Sequence, residues 1–464
     1  MRWTLAEINE AVAGRIAHVA DTPEWAAEIV GVATDTRKTC AGQLFVALAG
    51  ERFDAHDYLN VAVQQGAAAL LVSNTEKLPT GTPAILVDDT RLALGRLAAA
   101  WRRQFSIPLI AVTGSNGKTT TREMMVAILR TVFGADAVLT PQGNFNNDIG
   151  LPLTLLRLAP EHKAAVLEMG MNHPGEISYL TRMARPTAAL VTNAQRAHLE
   201  GMGSLEGVAR EKGCIYDGLD ADGVAIINND DAYAEHWRQQ NAARPSLTFA
   251  LDHPADVTGE ARLYGLSSQL ILRAPDGERR VTLQIPGRHN ARNALAAATA
   301  GMAAGLNLDT LAKGLSEFTG VKGRLQRQTG PYGAALLDDT YNANPDSVRA
   351  GIDVLAGTIG RQILVLGDMG EIGEASGQYH DEIGGYARSM GVDRLYTLGD
   401  ASQQAVRNFA EGARSFKTPE ALVKALLGEL KVMSRDERAI TILVKGSRFM
   451  RMEKVVELLL KENH

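Results

Sequence analysis

The chain has 464 residues and a formal net charge of −5, with 45% hydrophobic and 22% charged residues, an ordinary globular mixture long enough for about three domains of ~150 residues each. The acidic balance argues against a nucleic-acid partner, since such proteins carry a basic excess, and no run approaches the ~20 apolar residues that span a bilayer. Cys40 and Cys214 are the two cysteines; far apart and without C-x-x-C spacing, they give neither a disulfide framework nor a thiolate zinc site.

In chain order, "MRWTLAEINEAVAG" carries Glu7 and Glu10 before any long apolar run. It does not read as a signal peptide, and a cytoplasmic location is expected. "GQLFVALAGERFDAHDYL" and "AALLVSN" suit a small α/β unit that closes near "WRRQFSIP". From Leu109 the texture is short apolar runs alternating with amphipathic helical ones: "LIAVTG", "AAVLEMG", "AALVTNA", then "QILVLGD", "RLYTLGD" and "AITILVKGS". Runs this short, closed by glycine or a polar residue, predict buried parallel strands. Between Ser246 and Pro286 the character changes, and Asp276-Gly277 between two strand-like runs predicts a β-hairpin. "RFMRMEKVVELLLKE" at the end has helical periodicity. The expected organisation is three α/β blocks, residues 1–106, 107–320 and 321–464, with no internal repeat. The central block is expected to be a phosphate-loop ATPase-type parallel sheet with a β-hairpin region.

"LIAVTGSNGKTTTREMM" supplies the first candidate site. A strand over Leu109–Val112, a glycine turn, Lys-Thr and a helix follow in the order a phosphate loop requires. Glycines let backbone N–H groups converge on phosphate oxygens, and the helix N-terminus adds positive potential. The candidate nucleotide-binding residues are Thr113, Gly114, Ser115, Asn116, Gly117, Lys118, Thr119 and Thr120. Lys118 can reach the β/γ-phosphates and the Thr119 hydroxyl can ligate Mg²⁺. Val112 stands where the longer G-x-x-x-x-G-K-[ST] pattern has glycine, so the loop is a shortened one. ATP and Mg²⁺ are therefore the expected cofactors.

Open α/β sheets bind ligands beyond the carboxyl ends of their strands. Glu168 closes "AAVLE", where an acid following a phosphate loop commonly completes a Mg²⁺ site. His198 follows the next strand; Mg²⁺ prefers oxygen ligands, so the bare residue reads as structural or helix-capping. Lys212, beside Glu211 on a helical stretch, reads by itself as a solvated surface lysine. Asn290 and Asn293 lie i, i+3 at a helix start and offer the donor and acceptor that read an adenine edge, unless Asn290 merely caps the helix. Arg324 in "GVKGRLQ" can make forked contacts to phosphate. Asp339 in "LLDDTYNANPDS" can hold ribose hydroxyls, or the segment is only a strand–turn–helix junction with Asn-Pro punctuation.

"TGSNGKTT", "LEMGMNHPGEI", "AHLEGMGSLEGVAREKG", "PGRHNARNALAA", "VKGRLQ", "DDTYNANPDS", "VLGDMGEIG" and "ILVKGSR" occur in that order. The set resembles the Mur ligase family of ATP-dependent amide ligases of peptidoglycan-precursor synthesis. "YNANPDS" and "NFNNDIGLPLTLL" look most like the member that adds D-alanyl-D-alanine, and the likeness covers essentially the whole chain. It implies a uridine-nucleotide-binding amino-terminal domain, an ATPase domain and a Rossmann-like carboxy-terminal one. It also implies that UDP-N-acetylmuramoyl-tripeptide and D-alanyl-D-alanine are the substrates, joined through an acyl phosphate. The same resemblance implies two Mg²⁺ ions, one held by Thr119 and one by Glu168, His198 and a carbamylated Lys212. Lys118, His198, Lys212 and Arg324 are the catalytic candidates it marks. Asn290, Asn293, Arg324 and Asp339 match nucleotide-holding positions. Asp35, Thr36 and Arg37 match a segment near the uridine nucleotide, and Asn146, Asn147 and Asp148 one near the muramoyl group. Tyr341, Asn342, Asn344 and Lys445 are assigned to substrate binding with them. Arg324 would complete the site on domain closure, with hinges expected near Pro108 and Gly320. No nucleic-acid or membrane partner is expected, and a monomer is favoured over an oligomer. A third-residue-adding Mur ligase, a folylpolyglutamate synthase-like ligase and a non-catalytic nucleotide switch remain open alternatives.

Overall fold

Strand Leu109–Thr113 shows how the middle of the chain is built. All five residues are buried. Leu109 and Ala111 enter one core while Ile110 and Val112 enter another, because successive strand side chains point to opposite faces. A strand covered on both faces has no polar face to show, so it reads as a continuous apolar run. In the computed structural model, which describes residues 1–17, 28–50 and 53–461, this strand lies inside a nine-stranded sheet. The spatial order is Val138–Leu139, Ala164–Glu168, Leu109–Thr113, Ala188–Val191, Val224–Asn228, Ser246–Ala250, Val257–Tyr264, Ser267–Ala274 and Gly277–Leu283. Neighbours run parallel as far as Val257–Tyr264, and the last two pairings are antiparallel.

The connection order fixes where a ligand can sit. The chain leaves Leu109–Thr113 for the edge at Val138–Leu139, returns beside it at Ala164–Glu168, and then crosses to its other side at Ala188–Val191. This reversal opens a crevice at the carboxyl end of Leu109–Thr113. The phosphate loop starts there, and the helix Lys118–Phe133 follows it. The expected hairpin is present, but its turn is Pro275-Asp276: Ala274 pairs with Gly277, which already belongs to the next strand. Proline presets the first turn position, and Gly277 accepts the positive φ of 129° that follows.

The amino-terminal unit is a five-stranded sheet ordered Arg15–Ala17, Ala84–Leu86, Ala69–Val72, Leu44–Val46 and Val32–Ala33. It does not stand apart. Val46, Leu71 and Ile85 share one apolar core with Leu109, Leu167 and Val191 of the central sheet. Trp101 Nε1 donates to the Leu158 carbonyl (3.0 Å) and Arg102 Nε to that of Ala184 (3.0 Å). The junction near Pro108, expected as a hinge, is therefore held by shared packing.

The carboxy-terminal unit differs. Its six-stranded sheet is ordered Gln326–Thr329, Ala335–Asp339, Ile440–Lys445, Arg361–Gly367, Arg394–Leu398 and Ala413–Phe416, antiparallel at the first pairing and parallel thereafter. Leu364 and Leu366 enter one core and Ile363 and Val365 a second, both distinct from the cores of the other units. Leu266, at the tip of a central hairpin, packs against the first of them. Polar contacts between it and the central unit are described below.

Candidate active site

The phosphate loop is closed by two glycines whose geometry other residues cannot copy. Gly117 has φ 82°, and a Cβ there would overlap Asn293 Oδ1. Gly114 has φ 149°, and its Cβ would overlap Thr192 Oγ1. Gly117 is the N-cap of Lys118–Phe133, so the helix's first N–H groups, which have no intrahelical acceptors, begin at the loop. Lys118 Nζ curls back to the Gly114 carbonyl at 2.7 Å. Burial pushes its pKa below the usual lysine range, partly offset by Glu168 and Glu371. The Thr119 hydroxyl accepts from Arg324 Nη2 (3.2 Å), and the Arg324 guanidinium lies 4.2 Å from the Tyr341 ring centroid. Thr113 is buried, with its hydroxyl given to the Met169 carbonyl (2.8 Å), a structural contact within the sheet.

Two cavities meet at this loop. The first, about 560 Å³, lies between the loop, the helix Arg288–Ala303 and the carboxy-terminal unit. Asn116, Gly117, Thr120, Asn290, Asn293, Arg324, Asp339 and Lys445 line it. Asn290 is not a cap. Gly287 holds that position, and Asn290 Nδ2 donates to the Pro286 carbonyl (2.7 Å) while its Oδ1 accepts from Asn293 (3.1 Å). The second cavity, about 690 Å³, is lined by Ser115, Asn116, Lys118, Asn146, Asn147, Asp148, Glu168, His198 and Arg324, with Tyr341, Asn342, Asn344 and Lys445. Asn116, Arg324 and Lys445 face both. Asp339 and Lys445 are register partners on adjacent parallel strands, so both reach the same rim, and Lys445 Nζ pairs with Asp339 Oδ2 at 2.6 Å. Both volumes suit small-molecule ligands.

Arg122 and Glu168, both buried, and the half-buried Asn146 form a group at the strand end. Glu168 Oε2 accepts from Arg122 Nη1 (3.2 Å) and Oε1 from Asn146 Nδ2 (3.0 Å). His198 has φ 57° and stands at the N-cap of Leu199–Met202, yet its side chain does not cap; Nδ1 pairs with Glu371 Oε2 at 3.0 Å. Lys212 is no surface lysine. It is fully buried, and its Nζ has no hydrogen-bond partner. Burial pushes its pKa well down, and the charge of Lys118 pushes the same way. The charge of its neighbour Glu211 opposes them only in part, and that carboxylate is bound to the N–H groups of Gly175 and Ile177 (2.9 and 3.0 Å) rather than to the amine. Among the described residues, no three His, Cys, Asp or Glu side chains form a group that could hold a metal ion. Thr119, Glu168 and His198 offer a hydroxyl, a carboxylate and an imidazole, and the orphaned amine of Lys212 becomes an anionic oxygen donor if carbamylated. With that change the donors fit a hard dication.

Asp35, Thr36 and Arg37 line neither cavity. Arg37 pairs with Asp35 (2.8 Å) in an exposed turn of the amino-terminal unit. Several residues in the site carry little or no signal in the sequence. Arg122 is nearly fully buried, and its signal was a charge on the inward face of a loop-following helix. Arg91, which pairs with Asp148 (3.3 Å) across the amino-terminal and central units, and Glu371 gave no local signal, because their partners are distant in sequence.

Family models match the chain in succession: Mur ligase family, catalytic domain, over residues 28–102; Mur ligase middle domain over 112–301; and Mur ligase, glutamate ligase domain, over 323–448. The chain belongs to the Mur ligase family. Within it, the chain is 44% identical to the UDP-N-acetylmuramoyl-tripeptide–D-alanyl-D-alanine ligase of Escherichia coli (strain K12) over 430 residues, 92% of this chain and 93% of that protein. To the enzyme of the same name from Bacillus subtilis (strain 168) it is 37% identical over 477 residues, 99% of each. A crystal structure of MurF from Acinetobacter baumannii matches with a TM-score of 0.92 at 35% identity, covering 99% of both chains. That of MurF ligase from Thermotoga maritima in complex with ADP matches with a TM-score of 0.81 at 27% identity, over 93% of this chain and 97% of that one.

Proposed function

We infer that this protein is an ATP-dependent ligase that joins the amino group of D-alanyl-D-alanine to the terminal carboxylate of UDP-N-acetylmuramoyl-tripeptide in peptidoglycan synthesis. The observation that carries the reading is near-full-length identity to ligases of that name, with a phosphate loop at the meeting point of two cavities. The nucleotide would occupy the first cavity, its base against Asn290 and Asn293 and its ribose toward Asp339. The acceptor carboxylate would enter the second. We assign residues 1–106 to the UDP end, 107–320 to ATP and 321–464 to closing the site.

A carboxylate is a poor acyl donor, because oxide would have to leave. Transfer of the γ-phosphoryl group of ATP to a carboxylate oxygen gives an acyl phosphate and ADP. The amine of D-alanyl-D-alanine then attacks the acyl carbon, and phosphate departs as the new C–N bond forms. The obstacle in the first step is repulsion between two anions. Lys118, Arg324 and the loop amides face that charge and offset it. Mg²⁺, when bound, adds further neutralisation; Thr119 would hold one ion, and Glu168, His198 and carbamylated Lys212 the other. Docking of the carboxy-terminal unit keeps water from the acyl phosphate.

The test supplies ATP, UDP-N-acetylmuramoyl-tripeptide and a panel of amines, and follows phosphate release. Stimulation by D-alanyl-D-alanine, with the pentapeptide product appearing, is expected. Stimulation by a free amino acid instead would point to another amide ligase, and substrate-independent ATP turnover to a nucleotide switch.

A further inference from the structure

The loop Thr192–His198 touches the phosphate loop on one side and the carboxy-terminal unit on the other. Toward the phosphate loop, Ser115 N donates to the Asn193 carbonyl (2.9 Å) and Asn116 N to Asn193 Oδ1 (2.9 Å). Gln195 N donates to Ser115 Oγ (2.9 Å), and Asn116 Nδ2 to Gln195 Oε1 (2.7 Å). Toward the carboxy-terminal unit, Arg196 is held from three sides. Nη2 meets Asp346 Oδ1 at 2.7 Å, Nη1 meets Glu382 Oε2 at 3.1 Å, and the guanidinium lies 5.3 Å from the Tyr379 ring centroid. Even its backbone N–H donates to Asp346 Oδ2 (2.8 Å). The side chains of Arg196 and Asp346 are only 23% and 22% exposed.

A single exposed ion pair contributes little. A planar guanidinium forked between two carboxylates and set on a ring is fixed in direction as well as charge. The Arg196 contacts join bodies whose apolar cores are separate, and such polar interfaces between domains ordinarily open and close. Arg196 is thus bound to the unit that can leave, while Asn193 and Gln195, one to three residues before it, are bound to the loop that must hold phosphate.

We propose that Arg196 is a positioning residue that makes the phosphate-loop geometry depend on docking of the carboxy-terminal unit, acting through Asn193 and Gln195 on Ser115 and Asn116. The proposal rests on the ligase function above. When the unit docks, Arg196 seats between Asp346 and Glu382 and the loop Thr192–His198 is pinned at both ends. When it undocks, the loop loses its outer anchor and ATP turnover slows before an acyl phosphate can form in an open site. Asn116 and Asn344 make a second, direct tie between the bodies (Nδ2 of Asn344 to Oδ1 of Asn116, 2.8 Å), so loss of Arg196 weakens the coupling without abolishing it.

The test uses the full chain as Arg196→Ala, Arg196→Lys and Glu382→Gln. Steady-state kinetics are combined with small-angle scattering in a non-hydrolysable ATP analogue. Arg196→Ala is expected to lose about tenfold in kcat, within the usual range of coupling between sites, with the KM for UDP-N-acetylmuramoyl-tripeptide unchanged within twofold and a larger radius of gyration. Arg196→Lys, which keeps the charge but not the fork, restores part of both. A kcat within twofold of wild type, or a reduced kcat with an unchanged radius, would overturn the proposal. Should Arg196→Ala fail to fold, Glu382→Gln decides: a smaller change of the same kind supports the proposal, and wild-type behaviour sinks it. Wild-type phosphate release that depends on D-alanyl-D-alanine, read in the same assay, tests the ligase reading separately.

Discussion

Replacing Lys212 by methionine separates two consequences of one buried amine. As an unmodified lysine, the side chain is fully buried and its Nζ is unpaired, and an unsatisfied buried donor costs about 1–3 kcal/mol. A second cost follows from its lowered pKa. The unfolded chain holds a proton on this lysine up to ~10.4 and the folded chain releases it earlier, so stability rises with pH between the two values, by about 1.4 kcal/mol per pH unit. Above ~10.4 the slope ends. Lys212→Met removes both costs at nearly the same volume, so it should unfold a few degrees higher than wild type in CO2-free buffer near neutral pH and lack that slope. Its ligase activity should nevertheless fall by two orders of magnitude or more, because methionine cannot take up CO2 to become an anionic ligand. Thermal denaturation across pH, phosphate release, and intact-protein mass with and without bicarbonate are the assays. A Lys212→Met chain with activity within twofold of wild type would refute the carbamate role. One that melts lower, with no gain at any pH, would refute the account of an orphaned amine.

Lys118→Ala should still bind UDP-N-acetylmuramoyl-tripeptide in calorimetry, yet lose at least about 10²-fold in phosphate release, as expected when a preorganised charge is removed; normal turnover would take the lysine out of the mechanism. Gly117→Ala puts a Cβ onto Asn293 Oδ1 at a left-handed φ, so ATP affinity should fall while the melting temperature moves by only a few degrees. Unchanged ATP binding would mean that the loop and the helix Arg288–Ala303 do not hold the same nucleotide.

The strands and the phosphate loop were legible because their causes are local. "LIAVT" is apolar throughout because both faces of that strand are covered, and Gly114 and Gly117 announce positive φ. Asp339, Arg324 and Asn293 were found by motif order and do line one cavity. What the sequence could not convey depends on distant partners. Lys212 looked like a surface residue because a helical lysine beside a glutamate normally is one; its burial comes from packing, and Glu211 is spent on another helix's N–H groups. His198 looked like a cap, but its partner Glu371 lies 173 residues further along the chain. Arg196 carried no motif, since its carboxylates are on two helices of another unit. At Pro108 a proline-bounded turn marks a junction, but the core shared across it is built from residues distant in sequence and has no local signal.

That shared core changes how many pieces the molecule has. The sequence divides into three blocks, yet the first two share part of their packing, with Ile85 and Leu167 buried in the same cluster. Cooperativity follows cores, not sequence blocks. On heating, the amino-terminal and central blocks should give way as one transition, with the carboxy-terminal block as the other. A truncation after residue 106 would expose half an interior, whereas one near Gly320 would cut between interiors that are each already closed.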